Sequence, residues 1–153
     1  MDNEKKARRY ERIIVQLSEL LTKTNNPPSR MSTIIAVLHN KMDNLSWTGY
    51  YHLIEGELLV GAYQGPLACQ KLQNNKGVCW SAINKKETIV VENVHDFEGH
   101  IACDSRSNSE IVVPIRNKEG EILACLDIDS QELNNFNEVD AKYLEQIVKM
   151  IYL

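Results

Sequence analysis

The sequence predicts an α+β domain with a central, mostly antiparallel sheet. Three observations carry that expectation. The first forty residues hold two segments with apolar side chains at helical spacing. The middle of the chain is built from short strand-like runs joined by tight turns. The chain closes on one more helical stripe. At 153 residues it is one ordinary domain, taken as 1–153 without a linker or repeat. The N-terminal helical segment covers 1–24, the sheet with its loops covers 45–130, and the C-terminal helix covers 137–152.

Tyr10, Ile13, Ile14, Leu17, Leu20 and Leu21 recur on one face, so 3–23 reads as an amphipathic helix. Asn25, Asn26, Pro27 and Pro28 stop it. Ser29 is placed to cap a second helix through about Met42, with Met31, Ile34, Ile35 and Leu38 inward. TGYYHLIEGELLVGAY reads as two strands around a Glu55-Gly56 turn, GVCWSAINK at 77–85 as a short helix, and TIVVE as a strand. NSEIVVPIRNKEGEILACLDIDS reads as a hairpin with arms 110–116 and 121–129 turning at Lys118-Glu119-Gly120. Asn137 caps the last helix, whose stripe is Leu144, Ile147, Val148 and Ile151. The first and last helices are expected to cover one face of the sheet. The other face is left for a pocket beneath the long segment 92–108.

Composition narrows the function classes. Apolar residues make up 43% and charged residues 25%, the balance of a globular protein with a real core. The net charge of -4 argues against a nucleic-acid partner, which needs a basic face. No apolar run approaches the ~20 residues of a membrane span, and the charged start MDNEKKARRYERII lacks the apolar stretch of a secretory signal. A cytoplasmic location is expected. The four cysteines, Cys69, Cys79, Cys103 and Cys125, show no CxxC spacing. That disfavours a zinc ribbon or a thioredoxin-type motif, and in a reducing compartment leaves catalytic or buried thiols.

The chemistry concentrates in NVHDFEGHIACDSRSNSE at 93–110, a polar stretch long for a connection. Cys103 sits there between His100 and Asp104. A thiol on such a loop ionises and is reached more readily than one in a core, although it also reads as an incidental loop cysteine. In the strand closing the hairpin, Ile122, Ala124, Leu126 and Ile128 point one way and Leu123, Cys125, Asp127 and Asp129 the other. Glu110 opens the opposing arm, so three carboxylates can converge. Crowding would raise at least one pKa, suiting a proton donor, and the rest could bind an ammonium group; a solvated acidic rim is the plain alternative. Trp47, Gly49 and Tyr51 share a strand face and can wall a small ligand or simply pack. Cys125 reads as a small buried hydrophobe.

GPLAC at 65–69, GVC at 77–79, GHIACD at 99–104, SNSE at 107–110 and LDIDS at 126–130 together resemble the free methionine-(R)-sulfoxide reductases, which are GAF-domain enzymes. The resemblance runs from about Trp47 to Ser130, and the flanking helices fit the GAF topology. It implies a single GAF domain that reduces free L-methionine-(R)-S-oxide to L-methionine. In that reading Cys103 is the nucleophile and Cys69 resolves its sulfenic acid as a disulfide. Cys79 is a supporting third cysteine, and thioredoxin restores the thiols. Glu110, Asp127 and Asp129 line the substrate pocket, with Glu110 and Asp129 the candidates for protonating the departing oxygen. Trp47 and Tyr51 form the aromatic wall. No metal or organic cofactor is implied, and a homodimer is compatible. The chain departs from the family pattern at Trp80, at Glu98 and at Ala124-Cys125, the last with no cysteine counterpart. Two other readings stand beside this one. One is a non-catalytic GAF module that senses a small ligand or redox state. The other is a metal site from Cys69, Cys79, Cys103 and His100, whose irregular spacing speaks against it.

Overall fold

A computed structural model describes residues 2–99 and 106–153. Helix α1 spans Asn3–Leu20 and tightens into a 3-10 turn at Leu21–Lys23. Asp2 caps it by accepting from Lys5 N at 2.9 Å. Helix α2 spans Pro27–Lys41. Its cap is Asn26, accepting from Ser29 N at 3.0 Å, and not Ser29 as the sequence suggested. The two prolines explain the shift: they occupy the first helical positions, where an N–H would be orphaned anyway, so they start the helix rather than delay it.

Strands β1 (Trp47–Ile54) and β2 (Glu57–Gln64) form the expected hairpin, with Glu55 and Gly56 both at positive φ. Helix α3 (Gly77–Lys85) follows, then the short β3 (Ile89–Val91), β4 (Ser109–Arg116), β5 (Ile122–Ser130) and α4 (Glu138–Lys149). The sheet runs β2-β1-β5-β4-β3, every neighbour antiparallel. This is the α+β fold expected.

One sheet face carries the main core. Tyr50, Ile111, Val113, Ile115, Ala124, Leu126 and Ile128 meet Tyr10, Ile13 and Leu17 of α1, the inner side of α2, and Leu144, Ile147 and Val148 of α4. Helix α2 lies on β1 and β2 and α4 on β4, with α1 packed across both helices. The opposite face holds a second cluster under α3, including Val112, Cys125, Val78 and Ala82. Ile122 belongs to that second side rather than with Ala124, because a bulge sets Ile115 opposite Ala124 but Arg116 opposite Ile122. The extra residue on β5 turns its start over.

The helical layer is pinned by two buried charges. Asp140 is 2% exposed and takes Lys6 Nζ at 2.7 Å, the Tyr10 hydroxyl at 2.6 Å and its own helix-capping N–H from Asn137 at 2.9 Å. Arg30 donates to the carbonyls of Thr24, Met150 and Leu153, closing α2 onto the end of α4. Replacing one partner of a buried pair leaves the other desolvated. Asp140→Ala is expected to cost about 3 kcal/mol of unfolding free energy in urea titration. A cost under about 1 kcal/mol would show the pair to be dispensable.

Candidate active site

The register of three strands assembles the site. On the face away from α1, α2 and α4, Trp47 of β1 pairs with Asp129 of β5, which pairs with Glu110 of β4. One step along, Gly49 pairs with Asp127 and Asp127 with Val112. Alternation sends all of these side chains to one side. The three carboxylates expected to converge therefore do so, with the aromatic residues in the adjacent strand.

Trp47 forms the wall. Its ring stacks on Tyr63 at 5.2 Å and on Tyr51 at 5.9 Å between centroids. The stack needs Gly49 beneath it, since a Cβ there would stand 2.7 Å from Trp47 Cη2. Gly65 has the same duty at the edge: at φ +122 its Cβ would meet Ser46 O at 2.6 Å and Trp47 Cδ1 at 3.1 Å. The chain beyond Gly65 folds back along β2, with Val60 N donating to Gln70 O and Leu72 N to Leu58 O. That return brings Cys69 over the wall, where the Tyr51 hydroxyl donates to Cys69 O at 3.1 Å.

Helix α3 closes the other side and lowers Cys79 toward the carboxylates. The Cys79 sulfur and carboxylate oxygens of Glu110 and Asp127 lie within 4.8 Å of one another, all buried. Among the described residues this is the group with metal-ligand chemistry. A cavity of about 50 Å³, room for a few waters, lies between Trp47, Tyr51, Cys79, Glu110, Asp127 and Asp129. Leu67, Lys76 and Ser107 stand around it.

The electrostatics follow from burial. Glu110 is pushed up to about 8 by desolvation and then by the neighbouring Asp129 charge. Asp127 is raised well above the carboxylate range by burial and by Glu110. Two groups this close cannot both ionise cheaply, so the cluster holds protons at neutral pH. Contact with the Cys125 thiol, then burial, raises the Cys79 thiol as well. Among the described residues Asp127 Oδ1 and Trp47 Nε1 are buried without a hydrogen-bond partner, and both residues face the cavity. An acceptor and a donor are thus left for a ligand.

Cys69 is disulfide-bonded, and Cys79 and Cys125 are free thiols. Cys103, with His100 and Asp104, lies outside the described residues. The flanks of its segment are tied to the sheet: Val94 N donates to Asn108 O at 2.9 Å, and Asn108 N donates to Ser130 O at 2.8 Å. Cys125 is fully buried, as its strand position suggested, and it also adjoins Cys79, which spacing does not reveal. Trp80 is buried in the cluster under α3, and Glu98 is exposed. Tyr63, Lys76 and Ser107 are site residues that the sequence alone does not single out. Only Tyr63 carries a usable signal, an aromatic across a hairpin from a glycine.

Comparison with known proteins agrees with this geometry. A family model described as "GAF domain" matches residues 25–151. GAF domain-containing protein A of Dictyostelium discoideum is 42% identical over 147 residues, which cover 95% of this chain and 92% of that protein. A protein of Escherichia coli K12 named free methionine-R-sulfoxide reductase is 39% identical over 116 residues, covering 76% of this chain and 70% of its own length. The X-ray structure of free methionine-R-sulfoxide reductase from Neisseria meningitidis in complex with its substrate superposes with a TM-score of 0.90 at 35% identity. That match covers 99% of this chain and 89% of the other. The chain belongs to the GAF-domain family, in its free methionine-R-sulfoxide reductase branch.

Proposed function

We propose that this protein reduces free L-methionine-(R)-S-oxide to L-methionine, with thiols as the source of electrons. The observation that carries the proposal is the meeting, beside an aromatic wall, of proton-holding carboxylates with a cavity rimmed by the loop of a disulfide-bonded cysteine. The names of the relatives supply the substrate and the R epimer.

In the proposed sequence the Cys103 thiolate attacks the sulfoxide sulfur. The sulfoxide oxygen is protonated, with Glu110 or Asp129 as donor and Asp127 orienting, and its bond to the substrate sulfur breaks as it passes to Cys103 Sγ. Methionine leaves, reduced by two electrons, and Cys103 becomes a sulfenic acid. The Cys69 thiol condenses with it, releasing water and forming a disulfide. Cys79 has a supporting part at the pocket floor. An external dithiol protein of the thioredoxin type returns two electrons and two protons. The cytoplasm is the proposed location, because the cycle needs that reductant. Trp47 and Tyr51 hold the apolar end of the substrate. The acidic side chains suit the ammonium of a free amino acid, which a residue inside a peptide lacks.

Release of methionine from each sulfoxide epimer, free and peptide-bound, with thioredoxin present, tests the whole reading. Multiple turnover of the free R epimer is expected; tight binding without turnover would favour a sensor module. Cys103→Ser is expected to abolish turnover. Cys69→Ser should release about one methionine per enzyme and then stall. Full turnover in both variants would refute the assignments.

The raised carboxyl of Glu110 gives a stability prediction with a definite sign. Its pKa is about 8 in the fold and near 4.5 when unfolded, so the folded state binds more protons between those values. Stability from this group is complete below pH 4.5 and is lost as pH rises through 8. Glu110→Gln, which cannot ionise, is expected to lose less melting temperature than the parent between pH 5 and pH 8. Parallel melting curves across that range would contradict a protonated Glu110.

A further inference from the structure

Cys79 of α3, Glu110 of β4 and Asp127 of β5 bring a thiol and two carboxyls together from three elements. The sulfur and carboxylate oxygens lie within 4.8 Å of one another, and all three residues are buried. The strands fix two of them: Val112 pairs with Asp127, so Glu110, two residues earlier, stands diagonally across the same ladder. Helix α3 packs on both strands and supplies the third. Zinc holds its donor atoms at about 2.0–2.3 Å, which sets them about 3.5 Å apart, so the group needs to draw in by only about 1 Å. Two observations point to a cation. Among the described residues Asp127 Oδ1 is buried with no hydrogen-bond partner, in a residue 6% exposed that lines the cavity. Desolvation and mutual charge also raise Glu110 and Asp127, which hold protons as their counter-charge. A divalent cation replaces those protons and gives the orphan oxygen a partner.

We infer that Cys79, Glu110 and Asp127 bind a zinc-class divalent cation, and that the bound ion inhibits the proposed reductase by occupying its carboxylates. A thiolate with two carboxylates is a donor set for zinc or cobalt, whereas magnesium and calcium take oxygen ligands throughout. The set shares only Cys79 with the Cys69, Cys79, Cys103 and His100 group weighed from the sequence. Cys79 is a free thiol while Cys69 is disulfide-bonded, so the donors are in place in the oxidised protein. The ion is an inhibitor and not a cofactor, because it displaces the proton that Glu110 is proposed to give to the sulfoxide oxygen. The inhibition rests on the reductase reading; the binding does not.

Cobalt(II) is the probe, added to the full chain in its oxidised form, where Cys69 is already held in its disulfide. One ion per chain is expected, with a thiolate-to-cobalt charge-transfer band that zinc abolishes by displacing the cobalt. Cys79→Ser should remove the band, and Asp127→Asn should weaken binding about tenfold or more. Cys125→Val, which takes away the neighbouring thiol, should keep the band. No band, or a band that survives Cys79→Ser, would overturn the site. Should the variants fail to fold, melting of the parent decides: zinc raises the melting temperature and magnesium does not, and no shift or an equal shift rejects the site. Inhibition is read from a single turnover of the reduced protein, with no added thiol to take up metal. Zinc should slow methionine release from the free R-sulfoxide, and a chelator should restore it. Undiminished release at zinc that fills the cobalt-defined site rejects the inhibition. If no sulfoxide is reduced even without metal, the proposed activity fails, and the cobalt spectrum still decides the site.

Discussion

The pairing register of β1, β5 and β4 is the constraint on which the site depends. Trp47, Asp129 and Glu110 stand in one row across three strands, and Gly49, Asp127 and Val112 in the next. A slip of one residue in any pair would send its side chains to the helical face. The main core prevents that slip, because Tyr50, Leu126, Ile128, Ile111 and Val113 alternate with the site residues and are fully buried on the other side. The hydrophobic effect on one face thus fixes the chemistry on the other. Asp140, holding Lys6 and Tyr10, secures the helices that make this face dry.

Drawing three carboxylates into a buried row has an electrostatic consequence. Glu110 and Asp127 answer desolvation and mutual repulsion by keeping protons at neutral pH. A pocket that stores protons is suited to a reaction in which a protonated oxygen must part from the substrate sulfur. Stability is given up to hold this arrangement, as is common where polar groups are kept for function. Asp127 Oδ1 and Trp47 Nε1, without partners among the described residues, belong to the same exchange: each is available to a ligand.

Local pattern makes much of this legible. Period-two alternation identifies Asp127 and Asp129 as neighbours on one face, and the hairpin turn sets Glu110 opposite them. The Asn137 cap and the 77–85 helix are readable because caps and short helices are decided by adjacent residues. What escapes depends on contacts distant in sequence. Cys125 beside Cys79, and Lys76 at the rim, are joined only after α3 docks on the sheet. The bulge at the start of β5 leaves no composition signal, so simple alternation puts Ile122 on the wrong face. Cap competition at Asn26 is decided by two prolines whose preference for the first helical turn outweighs their reputation as breakers.

The distribution of the cysteines explains why the nucleophile is sought on a loop rather than at the pocket floor. Cys79 sits among the carboxylates, but the Cys125 thiol, burial and the Asp127 charge all raise its pKa. A thiolate there would lie fully buried against another thiol in a low dielectric, the condition under which a thiol stays protonated and inert. The burial that keeps protons on the carboxylates therefore also disables the nearest sulfur as an attacking group. In the proposed cycle the nucleophile therefore comes from a different element. The segment between Val94 and Asn108 is tied at both ends by backbone hydrogen bonds, and Ser107 near its end lines the cavity. Under the proposed cycle acid and nucleophile are kept on different elements, with protons held on the sheet and the attacking thiol supplied by the segment that precedes Ser107.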